Sequence, residues 1–238
     1  MLTSDHAFAL LICIAYPALS FVSFRRLLTQ ISAGEVVNRL QLYRGTILGH
    51  WTLCLVCLGV WAIADRSWVE LGFGLQADIR FSLAAVLTVL GIAILLVQLC
   101  QMETANQDEV DRVRSQLGKL TIIIPRTRSE LVRFYGLAVT AGIVEEILWR
   151  GFLIWYFNQF MPLWLAALVS VISFGLAHAY QGKSQLPQLT LVGGIFTGIY
   201  LLSGSLWLPI ILHTAVDILQ GRVAYITVRR SDDKNAAK

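Results

Sequence analysis

The chain has 238 residues, 56% of them hydrophobic and 14% charged, with a formal net charge of +4. Water-soluble domains carry about 25% charged residues, so this composition excludes an ordinary soluble enzyme and predicts a polytopic membrane protein. The positive balance does not predict nucleic-acid binding, because the bases lie between apolar runs rather than along one face.

Seven apolar segments read as helices, near residues 6–24, 46–64, 80–100, 141–158, 162–180, 188–203 and 206–227. Stretches of about 20 residues cross a hydrocarbon core of about 30 Å. No alternating pattern points to a barrel, so the expected fold is all-α, with about seven transmembrane helices and an intramembrane cavity facing the cytoplasm. The first apolar run lacks a basic leader, so no cleavable signal is expected. Cys13, Cys54, Cys57 and Cys100 all fall in apolar spans and read as free packed thiols, the Cys54-x-x-Cys57 spacing included. His6 and His50 sit near span ends and read as interfacial.

Orientation follows from Lys and Arg. Arg25, Arg26, Arg39 and Arg44 lie in the first connection, and Arg112, Arg114, Lys119, Arg126, Arg128 and Arg133 in the third. Lys183, Arg222, Arg229, Arg230, Lys234 and Lys238 complete one side, with Arg66 and Arg80 on the other, sixteen against two. This predicts an outside N-terminus and a cytoplasmic C-terminus in a bacterial-type inner or plasma membrane. Trp61, Trp68, Trp155, Trp164 and Trp207 fall at the predicted outer boundary, as in an aromatic belt.

The organisation splits into residues 1–128 (N-terminal spans and a cytoplasmic connection), a helical core at 129–228, and a tail at 229–238. Residues 101–120 are polar and read as an exposed helix or loop. Thr127 and Glu130 fit a capping box. The helix it starts has two arrangements: a surface helix followed by a separate span, or one long tilted helix over 129–160. Gly194-x-x-x-Gly198 predicts close approach of a neighbouring helix.

The chemistry lies in charges that an apolar span should not carry. Glu145, Glu146 and Arg150 fall within six residues, and a charge at mid-bilayer costs at least about 2.5–3.5 kcal/mol. Glu146 and Arg150 are four apart and predict a structural pair that orients the helix, leaving the Glu145 carboxylate on another face. His178 ends the fifth span; His213 and Asp217 share one face of the seventh. Three polar helices predict one shared cavity. If the fourth span enters near Ala141, Glu145 lies about 6 Å inside the boundary and all three groups meet; entry near Ser129 carries it deeper and loosens the cluster. This set suits peptide-bond hydrolysis. Glu145 would be the base, His178 its partner on the water, and His213 with Asp217 would face the oxyanion.

The pattern Glu145-Glu146-x-x-x-Arg150, Phe174-x-x-x-His178 and His213-x-x-x-Asp217 resembles the motif set of the CAAX-protease and bacteriocin-processing family of intramembrane endopeptidases, over roughly residues 130–225. The resemblance implies an all-helical intramembrane hydrolase acting on membrane-anchored protein or peptide substrates, CAAX-like or lipid-anchored, within the bilayer and with no nucleic acid. It implies water activation by Glu145 and His178, and an oxyanion hole from His213 and residue 217. Prenyl-processing members carry Asn at that last position, where this chain has Asp217. No cofactor is required in this reading. A zinc-dependent version would use Glu145, His178 and His213, although no His-Glu-x-x-His helix is present. The competing readings are a proton-coupled carrier and a non-catalytic immunity or scaffold protein.

Overall fold

The computed structural model describes residues 2–76 and 78–236; Lys238, counted above among the basic residues, lies outside them. Helix α1 spans Thr3–Ser32 with a π-helical turn at Leu11–Ala15, and α2 spans Arg39–Ile63. Helix α3 is Ile79–Thr104 and α4 is Gln107–Leu117. Helix α5 runs over 128–158: an α segment Arg128–Glu145, a π-helical segment Glu146–Leu153 and a last turn Ile154–Asn158. Helix α6 is Leu163–Ala177, α7 is Leu186–Ser203 and α8 is Trp207–Ala236. There is no strand among the described residues.

Each of the seven predicted spans corresponds to one long helix. Five of them, α1, α2, α3, α6 with its following turn, and α7, are long and apolar enough to cross a membrane. Helices α5 and α8 fall short of that apolarity because they carry Glu145, Glu146, Arg150 and Asp217. Exposed Val86, Leu87, Val89, Leu90, Ile94 and Val97 cover α3. An apolar surface of this extent needs lipid or protein against it. The chain is an integral membrane protein.

Helix α5 is the hub. Its Val144, Ile147, Leu148, Trp149, Phe152 and Leu153 are buried among Phe8 and Ile12 of α1, Cys54, Cys57 and Trp61 of α2, Phe174 of α6 and Ile210 of α8. Of the two arrangements open for residues 127–158, the continuous helix is the one found. It starts at the capping box: Glu130 N donates to Thr127 Oγ1 at 3.2 Å and Thr127 N donates to Glu130 Oε2 at 3.1 Å. The polar cluster is intact in this continuous helix, with His50 of α2 bonded to Glu145 of α5 at 3.1 Å.

Three local expectations are corrected. Gly194 and Gly198 face open space; a neighbour crowds Gly193 instead, where a Cβ would stand 2.7 Å from the Phe174 ring. Trp68, Trp164 and Trp207 are exposed, whereas Trp61 is fully buried and packs on Trp155 with ring centroids 4.7 Å apart. Arg66 sits over both of those rings while pairing with Asp5 at 2.9 and 2.7 Å, so part of the expected belt is an internal clasp between α1 and the end of α2. Finally, α8 continues as a helix beyond residue 228, where Asp232 pairs with Arg114 at 3.4 Å and Lys234 with Asp111 at 2.8 Å.

Candidate active site

Glu145 closes the α-helical part of α5 and Glu146 opens its π-helical part. Single π turns recur at functional sites. Their predicted pair is present: Arg150 Nη1 donates to Glu146 Oε1 at 2.9 Å, and both side chains are fully buried. Arg150 also donates to the Gly193 carbonyl at 2.8 Å and to Thr197 Oγ1 at 3.3 Å, and lies 4.4 Å from the Phe174 ring centroid.

Glu146 does more than pair with Arg150. His213 Nδ1 donates to Glu146 Oε1 at 2.7 Å. The contact depends on Gly142, one turn earlier, where a Cβ would stand 2.8 Å from Thr214 N and 3.0 Å from Thr214 Cα. Glycine there lets the backbones of α5 and α8 touch beside His213.

The other carboxylate, Glu145, is ringed by imidazoles. His50 Nε2 is 3.1 Å from Oε1, His178 Nε2 is 3.7 Å from Oε2, and His213 Nε2 is 4.0 Å from Oε2. Each ring commits its Nδ1 elsewhere: His50 to the Thr46 carbonyl at 2.9 Å, His178 to the Phe174 carbonyl at 2.9 Å, and His213 to Glu146. Carbonyl and carboxylate oxygens only accept, so each Nδ1 carries a hydrogen and each Nε2 is the nitrogen turned toward Glu145. Glu145 Oε2 is buried and has no hydrogen-bond partner among the described residues. Asp217 Oδ2 lies 3.8 Å from His213 Nε2, and its side chain, 34% exposed against 7% for Glu145, marks the open edge of the cluster.

All the residues singled out in the sequence thus converge: Glu145, Glu146, Arg150, His178, His213 and Asp217. His50, expected at an interface and outside the site, is 7% exposed and bonded to Glu145. Its face was readable, since Tyr43, His50, Cys54, Cys57 and Trp61 recur at helical spacing and are the buried residues of α2. A groove of about 650 Å³ between the ends of α1 and α2, lined by Leu27, Ile31, Asn38 and Thr46, reaches to one turn from His50.

Zinc suits the donor chemistry but not the arrangement. Tetrahedral zinc with bonds of 2.0–2.1 Å sets neighbouring donors about 3.3 Å apart. The His178 and His213 nitrogens are 3.7 and 4.0 Å from the carboxylate, and no group of three or more His, Cys, Asp or Glu among the described residues is arranged to hold a metal ion.

Residues 127–219 match the family model of the Rce1-like type II CAAX prenyl endopeptidases. This segment is similar to an Rce1-like domain. It begins at the N-cap Thr127 and ends just past Asp217, so the Rce1-like part holds every site residue named above except His50. An uncharacterised 24.3 kDa protein of Escherichia coli is 37% identical over 78 residues, which cover 32% of this chain and 36% of that protein. The chain therefore matches about a third of that relative's length. No solved structure matches.

Proposed function

We propose that the chain is an intramembrane endopeptidase that hydrolyses peptide bonds of membrane-associated proteins, CAAX-like or lipid-anchored, with water activated by Glu145. The observation that carries this reading is the buried carboxylate faced by three Nε2 atoms, one oxygen of which has no partner. Glu145 Oε2 and His178 Nε2, 3.7 Å apart, are spaced so that one water oxygen could reach hydrogen-bond distance of both. Glu145 takes a proton from that water as its oxygen attacks the scissile carbonyl, and the proton passes to the leaving amine.

His213 faces the developing oxyanion. Its Nδ1–H is held by Glu146, so its Nε2 donates only as the imidazolium, with Asp217 Oδ2 3.8 Å away. Ionised Asp217 itself donates nothing; it holds the charge of His213. Glu146 and Arg150 keep the His213 ring in place. The reading is metal-independent.

The test is cleavage of a lipid-modified CAAX peptide by the purified full chain in lipid. Wild type cleaves, with or without a zinc chelator, and Glu145→Gln loses at least a thousandfold in kcat while keeping its thermal midpoint. A wild type that cleaves no such peptide beside a working control enzyme refutes the function. Full inhibition by chelator, reversed by added zinc, refutes the metal-independent mechanism alone.

A further inference from the structure

We infer that His50, on a helix outside the Rce1-like segment, is a positioning residue that fixes the Glu145 carboxylate; the inference rests on the hydrolytic reading above. A buried imidazole needs partners, and His50 has three. Its Nδ1 donates to the Thr46 carbonyl at 2.9 Å, while Nε2 lies 3.1 Å from Glu145 Oε1 and 3.3 Å from the Tyr16 hydroxyl. With Nδ1 already carrying a hydrogen, the contact between Nε2 and a carboxylate oxygen requires one further proton between them. His50 and Glu145 therefore share a proton across a charge-assisted hydrogen bond, and Oε1 is pinned.

Pinning Oε1 decides where Oε2 goes. A free carboxylate exchanges its two oxygens by rotating about its terminal bond. Held at Oε1 by α2, the Glu145 carboxylate keeps Oε2 turned toward His178 of the α6 end and His213 of α8. The groups facing His50 are Tyr16 from α1 and Glu145 from α5, with His178, His213 and Asp217 beyond the carboxylate. Trp51 anchors the same junction, its Nε1 donating to Thr140 Oγ1 of α5 at 3.2 Å. The N-terminal helices, which carry only generic hydrophobicity in sequence, thus complete the site.

Two amides of different length separate positioning from bulk structure. The Gln side-chain nitrogen can reach the place of the imidazole Nε2, whereas that of Asn stops near Nδ1. In the peptide-cleavage assay with the full chain in lipid, His50→Gln retains kcat to within tenfold of wild type. His50→Asn loses about a hundredfold in kcat, with KM within twofold and the thermal midpoint equal to that of the Gln variant. Equal kcat in both variants, whether at the wild-type level or equally reduced, overturns the inference while leaving the hydrolase reading standing. A loss in His50→Asn that follows its folded fraction overturns it too. Failure of wild type to cleave removes the hydrolase reading, and this inference with it.

Discussion

Replacing Arg150 with methionine tests whether the Glu146–Arg150–His213 network holds the core together. The guanidinium is fully buried and makes the 2.9 Å pair with Glu146. Methionine keeps an apolar stem against Phe174 and Phe196 but leaves Glu146 charged, with the His213 N–H as its remaining partner. Glu146 Oε2 already lacks a hydrogen bond among the described residues, so nothing there takes over the charge. Removing one member of a buried ion pair costs about 3–5 kcal/mol. The Gly193 carbonyl adds no further penalty, since the Thr197 hydroxyl still donates to it at 2.9 Å. At about 2–4 °C per kcal/mol for a chain of this size, the thermal midpoint should fall by roughly 6–20 °C. The double change Glu146→Gln with Arg150→Met removes both charges, and its Gln carbonyl still accepts from His213. Its cost should be only about 1–2 kcal/mol. Tryptophan fluorescence of both variants during heating, in one detergent, reads the difference. A single variant as stable as wild type, or a double variant as unstable as the single, refutes the reasoning.

Two further substitutions probe the geometry. Gly142→Ala drives a methyl group against the Thr214 backbone, so α5 and α8 must separate beside His213. It should cost about 1–3 kcal/mol in thermal unfolding and lower kcat by about a hundredfold, since shifts near 1 Å have that effect; wild-type kcat would show that the close approach is irrelevant. Asp217→Asn removes the charge that holds the His213 imidazolium, so kcat should fall at least tenfold, as in Asp217→Ala; wild-type kcat in the Asn variant would show that the charge is not needed.

Much of the fold was legible because lipid leaves so few choices. A long apolar run must be a helix, and each of the seven runs is one. The Glu146–Arg150 pair was legible because it lies within one helix, where a spacing of four residues fixes proximity. The Glu146–His213 bond was not, because it depends on how closely two helices far apart in the chain approach, and Gly142 gives no sign in sequence of which backbone it will meet. His50 was missed for a different reason. The apolar run suggests that α2 begins just before His50, whereas the helix extends back to Arg39, so a histidine that looks terminal in sequence lies mid-helix beside α5.

The charges of α5 divide into two roles by their partners rather than by their chemistry. Glu146 and Glu145 are adjacent carboxylates, both buried. Glu146 has a cation and an N–H on the same oxygen, so its charge is matched within the protein and its task is to hold Arg150 and His213. Among the described residues no Arg or Lys forms an ion pair with Glu145. Its neighbours are three imidazoles, each turning Nε2 toward it. A carboxylate whose oxygen is taken by a fixed cation is spent on structure, whereas one with a buried oxygen left unbonded is open to a substrate water. That contrast across one peptide bond is the argument for the proposal that Glu145, and not Glu146, is the reacting group.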